Sequence, residues 1–252
     1  MHIIVFPLIF LFSTFAYTAE KSAITVAKIA IDIKWMTEDY PPYNYLDNGE
    51  LSGLSVDLLK QIYTDLNVDF NQLHLSLYPW ARAYKTLQDN PNTCLFSMTH
   101  TKERAEKFNF VGPIIDTRIS IIALSSRQFN ADPQSLEKLS IGVVKDDIGH
   151  QLLIKKGIPK AQFVFLSSGY EMVKMLALGR VDLVAYGENI AKFQFSKAGI
   201  LPSQYRVVSV LDNSQLGFAC NKKVPKIFIE AMQKSLIRIK IKDLQKFTWP
   251  KK

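Results

Sequence analysis

Charge is missing from the first 19 residues, which contain no Lys, Arg, Asp or Glu, and residues 3–15 are almost unbroken apolar. The run is shorter than the ~20 apolar residues of a spanning helix, and polar Glu20, Lys21 and Ser22 follow at once. Residues 1–19 therefore read as a cleavable export signal, with Ala16 and Ala19 as alternative small residues at the cut. No cysteine lies near that point, which argues against a lipid anchor. No later segment is long and apolar enough to cross a membrane, so the remainder is expected to be exported and soluble.

Histidine is scarce as well. The four, His2, His74, His100 and His150, are isolated, and none stands at ligand spacing from a cysteine or carboxylate. No metal and no cofactor are expected. A Gly-rich phosphate loop and a Gly-x-Ser-x-Gly elbow are both absent, which excludes those routes to nucleotide and ester hydrolysis. The chain has two cysteines, Cys94 and Cys220. In an oxidising compartment they fit a disulfide or two buried thiols, and their spacing does not choose.

What is present is an ordinary globular composition, 48% hydrophobic and 21% charged, over 252 residues. That is enough chain for one large domain or two modest ones. The net charge of +8 comes from scattered lysines, so a solvated basic surface fits better than nucleic-acid binding.

Apolar periodicity suggests a first strand over residues 24–35, then a loop forced by Pro41 and Pro42. A helix with Ser55 as N-cap and Leu58, Leu59, Ile62, Tyr63 and Leu66 on one face follows. Strand 68–77, helix 81–87 and strand 93–98 come next. After a β-branched run over 117–124 and a turn-like linker over 130–135, a second unit repeats the order: strand 140–144, helix 148–156, strand 162–166, helix 169–178, strand 181–185. Strands 205–210 and 216–220 and a helix over 224–241, with Ile227, Ala231, Ile237 and Ile241 near one face, complete the chain. Alternating β and α elements predict parallel sheets covered by helices, here in two lobes with a cleft between them.

The segment Cys94 to Pro113 carries the chemistry. Ser97 and Thr99 end an apolar strand, and Arg104 stands at the entry to a helix. Hydroxyls, helix-start N–H groups and a planar guanidinium together suit a carboxylate. On the plainer reading, Arg104 only pairs with Glu103 or Glu106.

In this order and spacing, Tyr40-Pro-Pro-Tyr43, Gly49 to Asp57, Ser97 to Arg104, Phe110 to Pro113 and Gly179 to Leu183 resemble bacterial periplasmic solute-binding proteins. The class is that of the polar amino acid transporters, family 3, with the type II periplasmic-binding fold. The resemblance covers essentially all the chain after the signal. It implies an α/β fold of two lobes, residues 24–115 with 212–252 and residues 116–211, each a mostly parallel sheet flanked by helices and joined by two extended crossover strands. It also implies a periplasmic monomer that passes its solute to the permease of an ABC transporter, or to a membrane receptor. A disulfide between Cys94 and Cys220 is implied too, because the family topology sets their strands side by side.

By position, Arg104 resembles the family's carboxylate clamp, Ser97 and Thr99 its neighbouring donors, and Tyr40 an aromatic packed over the ligand. Trp80, Arg82 and Glu38 border the expected cleft. The second lobe departs from the family. Where Gly-Thr or Gly-Ser is usual, this chain has Lys145, Asp146 and Asp147. Where an ammonium-binding aspartate is usual, it has Gly187, with Glu188 beside it. Asp146 and Glu188 are taken as candidate ligand contacts, while Asp147 reads at least as well as a helix cap. Two alternatives remain: a dehydratase of the cyclohexadienyl type, with Glu188 as general acid, and a ligand sensor without a transport role.

Overall fold

The computed structural model describes residues 22–129 and 133–239. The proposed signal, residues 130–132 of the linker and residues 240–241 of the expected C-terminal helix lie outside them.

The first element corrects the sequence expectation. Residues 22–32 form a helix, α1, and the first strand, β1, is Lys34–Thr37. The same apolar residues that alternate along the chain also place Val26, Ala30 and Ile33 at helical spacing, and all three are buried in one core. That core fixes Trp35, whose indole N–H donates to the Tyr63 hydroxyl at 2.7 Å, while the Tyr63 hydroxyl donates to the Ala30 carbonyl at 3.2 Å.

A small ribbon, β2 (Tyr45–Asp47) and β3 (Glu50–Ser52), leads to α2 (Leu54–Asp65). The cap of α2 is Gly53, not Ser55. Gly53 has φ of 116°, and a Cβ there would stand 2.5 Å from the Tyr43 carbonyl oxygen, so a side chain is excluded on both counts. Then come β4 (His74–Leu77), α3 (Trp80–Asp89), β5 (Thr93–Thr99), α4 (Lys102–Lys107) and β6 (Phe108–Leu124). The second series is the one-turn α5 (Pro133–Leu136), β7 (Ile141–Val144), α6 (Ile148–Lys155), β8 (Phe163–Leu166), α7 (Gly169–Ala177), β9 (Leu183–Gly187) and α8 (Glu188–Lys197). The chain ends with β10 (Tyr205–Asn221) and α9 (Lys226–Arg238).

The main sheet runs β4-β1-β5-β10-β6-β9-β7-β8. Its outer strands pair in parallel, β1 with β4 and β5, and β7 with β8 and β9. In the middle lie β6 and β10, each 17 residues long and antiparallel to one another from Phe108–Asn221 to Leu124–Tyr205. They belong to both halves of the molecule. The two strands expected at 205–210 and 216–220 are thus one. Helix α9 presents Phe228, Met232 and Leu236 to the core, while Ile227 and Ile237 face outward, so its buried stripe is displaced from the expected one.

Cys94 and Cys220 are directly paired on β5 and β10 and are joined by a disulfide, with Cα atoms 4.0 Å apart.

Candidate functional site

The ends of β1, β5, β7 and β9 meet where the two halves of the sheet face each other. The loop after β1 brings Glu38 and Tyr40; β5 and the start of α4 bring Arg104. The turn after β7 brings Asp146 and Asp147, and β9 brings Tyr186 and Gly187.

Arg104 is 1% exposed, a rare burial for a guanidinium. The Thr101 hydroxyl caps α4 by accepting the Arg104 backbone N–H at 3.2 Å, which sets the direction of the side chain. One terminal nitrogen, Nη1, donates to the Thr99 carbonyl at 3.2 Å; the other, Nη2, donates across the cleft to the Asp146 carbonyl at 3.3 Å. The guanidinium carbon lies 5.2 Å from the Trp80 ring centroid and 5.5 Å from that of Tyr84, within cation–π range.

Asp146 and Asp147 divide the work that sequence could not apportion. Asp146 turns the chain with φ of 62°, is half-buried, and contributes its backbone: its N–H donates to His150 Nδ1 at 3.2 Å and its carbonyl accepts from Arg104 and Gln151. Asp147, the N-cap of α6, is the buried carboxylate. Burial pushes its pKa up, while the Arg104 charge and the Ile148 N–H pull it down.

Glu38 is buried as well. Desolvation, then the charges of Asp147 and Asp39, raise its carboxyl well above the usual range, opposed by Arg104. Its position comes from a polar network under the loop: the Asn44 amide donates to the Glu38 carbonyl at 2.9 Å, and the Ser97 hydroxyl donates to Asn44 Oδ1 at 2.5 Å. The Ser97 and Ser55 hydroxyls are 2.7 Å apart, closing the chain of bonds. Ser97 therefore faces Asn44 and Ser55, and Thr99 is engaged through its carbonyl.

Tyr40 packs edge-on against Tyr186, ring centroids 5.7 Å apart, and tilts against Tyr43. A Cβ on Gly187 would stand 3.1 Å from the Tyr40 hydroxyl and 2.7 Å from Ile190 Cδ1. The tyrosine occupies the approach that a side chain at 187 would need.

Five polar atoms at or beside this cluster have no hydrogen-bond partner among the described residues while lying fully buried: Trp80 Nε1, Arg104 Nε, Thr117 Oγ1, Asp147 Oδ2 and the Tyr186 hydroxyl. Donors and acceptors are both represented. Buried polar groups are ordinarily satisfied, so this concentration singles out the cluster as the candidate site. A cavity of about 490 Å³ adjoins it, lined by Tyr84 and Arg104 on one side and Ile148, Gln151 and Leu152 on the other.

Two expected residues lie elsewhere. Arg82 is exposed, its guanidinium 4.1 Å from the Tyr78 ring centroid. Glu188 is buried at the start of α8, but Arg118 grips it with Nε and Nη2, each at 2.6 Å, and the Ser120 hydroxyl donates to it at 2.5 Å. This pair borders a second, more open cavity of about 720 Å³, beside the crossover strands. Against burial, those hydrogen bonds and the charges of Arg118 and Lys192 hold the Glu188 carboxyl below its ordinary range. Asn44, Thr117 and Tyr186 were not singled out in the sequence. The first stands next to the Tyr40-Pro-Pro-Tyr43 motif; Tyr186 lies within an apolar strand and Thr117 between Asp116 and Arg118, and neither carries a local signal.

Comparison with known proteins gives the family and the fold. The sequence description of bacterial extracellular solute-binding proteins, family 3, matches residues 33–243. No curated protein sequence gives a match. Among solved structures, a histidine kinase sensor domain with similarity to periplasmic binding proteins superposes with a TM-score of 0.73 at 17% identity, covering 85% of this chain and 92% of that one. Holo ArgBP from T. maritima gives 0.70 at 21% identity, covering 85% and 96%. An amino acid ABC transporter substrate-binding protein from Streptococcus pneumoniae, bound to L-arginine, gives 0.69 at 21% identity, covering 89% and 93%. At these identities the structures speak for the fold, which is the two-lobed type II periplasmic-binding fold.

Proposed function

The chain belongs to the bacterial extracellular solute-binding proteins, family 3, and on that premise we propose that it captures an amino acid or a related amine-bearing carboxylate in the cleft around Arg104 for an ABC-type permease. The observation that carries this reading is the convergence of unpartnered buried polar atoms on a charged cluster drawn from both halves of the sheet. Arg104 offers Nε, and each terminal nitrogen keeps a second N–H, so a carboxylate can be met while the two backbone carbonyls stay bound. Glu38 and Asp147 offer charge to an amine. Trp80, Tyr40 and Tyr186 supply apolar walls with polar edges.

The arginine-bound relatives support an amino acid as the class of solute. Export to the periplasm is supported by the charge-free, apolar first 19 residues and by the family's extracellular character. The work at the site is binding. A dehydratase would need Glu188 as a proton donor, and a carboxylate gripped by Arg118 and Ser120 is poorly disposed to hold a proton.

A thermal-shift screen of amino acids, amines and small organic acids tests the proposal, since a ligand of the folded state must raise Tm. Arg104→Ala should abolish the shift produced by the best ligand. An undiminished shift in that variant would sink the assignment. Restoration of solute uptake in a transport-deficient strain would separate delivery to a permease from sensing.

A further inference from the structure

Three ionisable side chains are buried together in the cleft: Glu38 at 8% exposure, Asp147 at 5% and Arg104 at 1%. With all three ionised, their sum is one negative charge. The groups facing them do not correct it. From the loop after β1 come Tyr40 and the exposed Asp39; from α3, Tyr84 and Trp80; from β9, Tyr186; from α6, the Ile148 N–H. Lys197 acts on Asp39 rather than on the cluster. Arg104 itself donates to two backbone carbonyls, and no ion pair within 4.0 Å joins it to either carboxylate among the described residues.

An unbalanced charge shut away from water is heavily penalised, and removing one member of a balanced buried set is among the most damaging changes a protein can suffer. Closure must therefore bring one positive charge into the cleft. We propose that the solute is an amino acid with a second basic group, one carboxylate set against Arg104 and two cationic groups set against Glu38 and Asp147. Such a solute carries a net charge of one and leaves the closed cleft neutral.

A neutral zwitterion balances Arg104 and only one carboxylate. It must bring in a proton with it, shared between Glu38 and Asp147. Desolvation raises both carboxyls, and in Glu38 the repulsion of Asp147 adds to it, so this proton has a site once the cleft closes. The two carboxylates thereby discriminate by net charge rather than by side-chain shape.

This inference rests on the proposed solute-binding role, and one experiment separates the two. Calorimetry and thermal shift on the mature chain would compare L-arginine and L-lysine with L-citrulline, L-glutamine and L-glutamate at about pH 6 and about pH 8, in buffers of different ionisation enthalpy. A basic amino acid should bind on the order of 100-fold more tightly than citrulline at the higher pH, with no net proton uptake. Any citrulline binding should take up one proton and strengthen about tenfold per pH unit as pH falls. Glu38→Gln should narrow or reverse the preference, and Asp147→Asn, in the other half of the molecule, is the second variant if the first does not fold. Equal or tighter binding of neutral or anionic amino acids without proton uptake overturns the charge rule and leaves the solute-binding reading standing. A melt that no amine-bearing solute shifts overturns both.

Discussion

Two buried carboxylate clusters stand near the junction of the two halves, and they are built on opposite plans. At the crossover, Glu188 is met by a forked guanidinium and a hydroxyl, all within 2.6 Å. In the cleft, Glu38, Asp147 and Arg104 influence one another with no ion pair among them, and polar atoms around them have no partner among the described residues. A satisfied buried charge holds a structure together; an unsatisfied one is kept by something other than stability. Burial and charge are common to both; the state of the partners is what singles out the cleft cluster as the candidate site.

The widest separation should come from exchanging the two arginines. Arg104→Ala is expected to weaken solute binding by ~100-fold or more, because it removes the buried guanidinium of the cleft. Arg118→Ala should leave the ligand-induced shift in place and instead lower Tm by several degrees, since it strands the Glu188 carboxylate. Melting curves with and without ligand read both effects, and loss of ligand binding in Arg118→Ala would break the contrast.

Tyr186→Phe is a smaller test. It deletes a hydroxyl that has no partner among the described residues, so binding should fall about tenfold while the unliganded protein melts no lower. Ser97→Ala cuts the chain of bonds through Ser55 and Asn44 that holds the Glu38 loop, and should cost about 1–2 kcal/mol of stability in denaturant titration. Its effect on binding should be indirect and modest.

The mildest contrast is with acid. The Glu188 carboxyl is depressed in the fold, so its contribution is present above its unfolded value and is lost as pH falls through the folded one. Glu38 has the reverse sign: raised in the closed cleft, it favours closure as pH falls through its elevated value. Between neutrality and mild acid, compaction seen by small-angle scattering should therefore increase before Tm declines, and Glu38→Gln should remove the increase.

Much of the fold was legible because alternating apolar strands and helices leave periodic traces. Residues 22–32 misled because the segment holds both patterns: alternating apolar residues, and Val26, Ala30 and Ile33 at helical spacing; packing against Trp35 and Tyr63 buries the second set and leaves Ile24 and Ile31 exposed. Strand β10 was cut in two because Asp212, Asn213, Ser214 and Gln215 are polar; paired with residues 116–119 at a solvent-facing crossover, they have no need to be apolar. In the candidate site, the place of Arg104 after a hydroxyl-bearing strand singled it out in the sequence, and the structure buries it. Which of Asp146 and Asp147 turns inward was not, since that depends on one left-handed backbone angle. The company kept by Glu188 was hidden too, because Arg118 lies 70 residues away in the chain.

The pairing of β6 and β10 along their whole length bears on mechanics. Register irregularities at Val210/Asp212 and Leu216/Phe218 bracket the polar stretch where the strands pass between the halves. Such bulges sharpen local twist. Two ribbons tied by a continuous ladder cannot fold at a single joint as one loose strand could; they yield by winding and unwinding, like a torsion bar. Compliance is thus expected from the short segment between the bulges, which carries Thr117 of the candidate cluster but none of its charged groups. The stiffness of the molecule and the charge of its cleft can be altered separately.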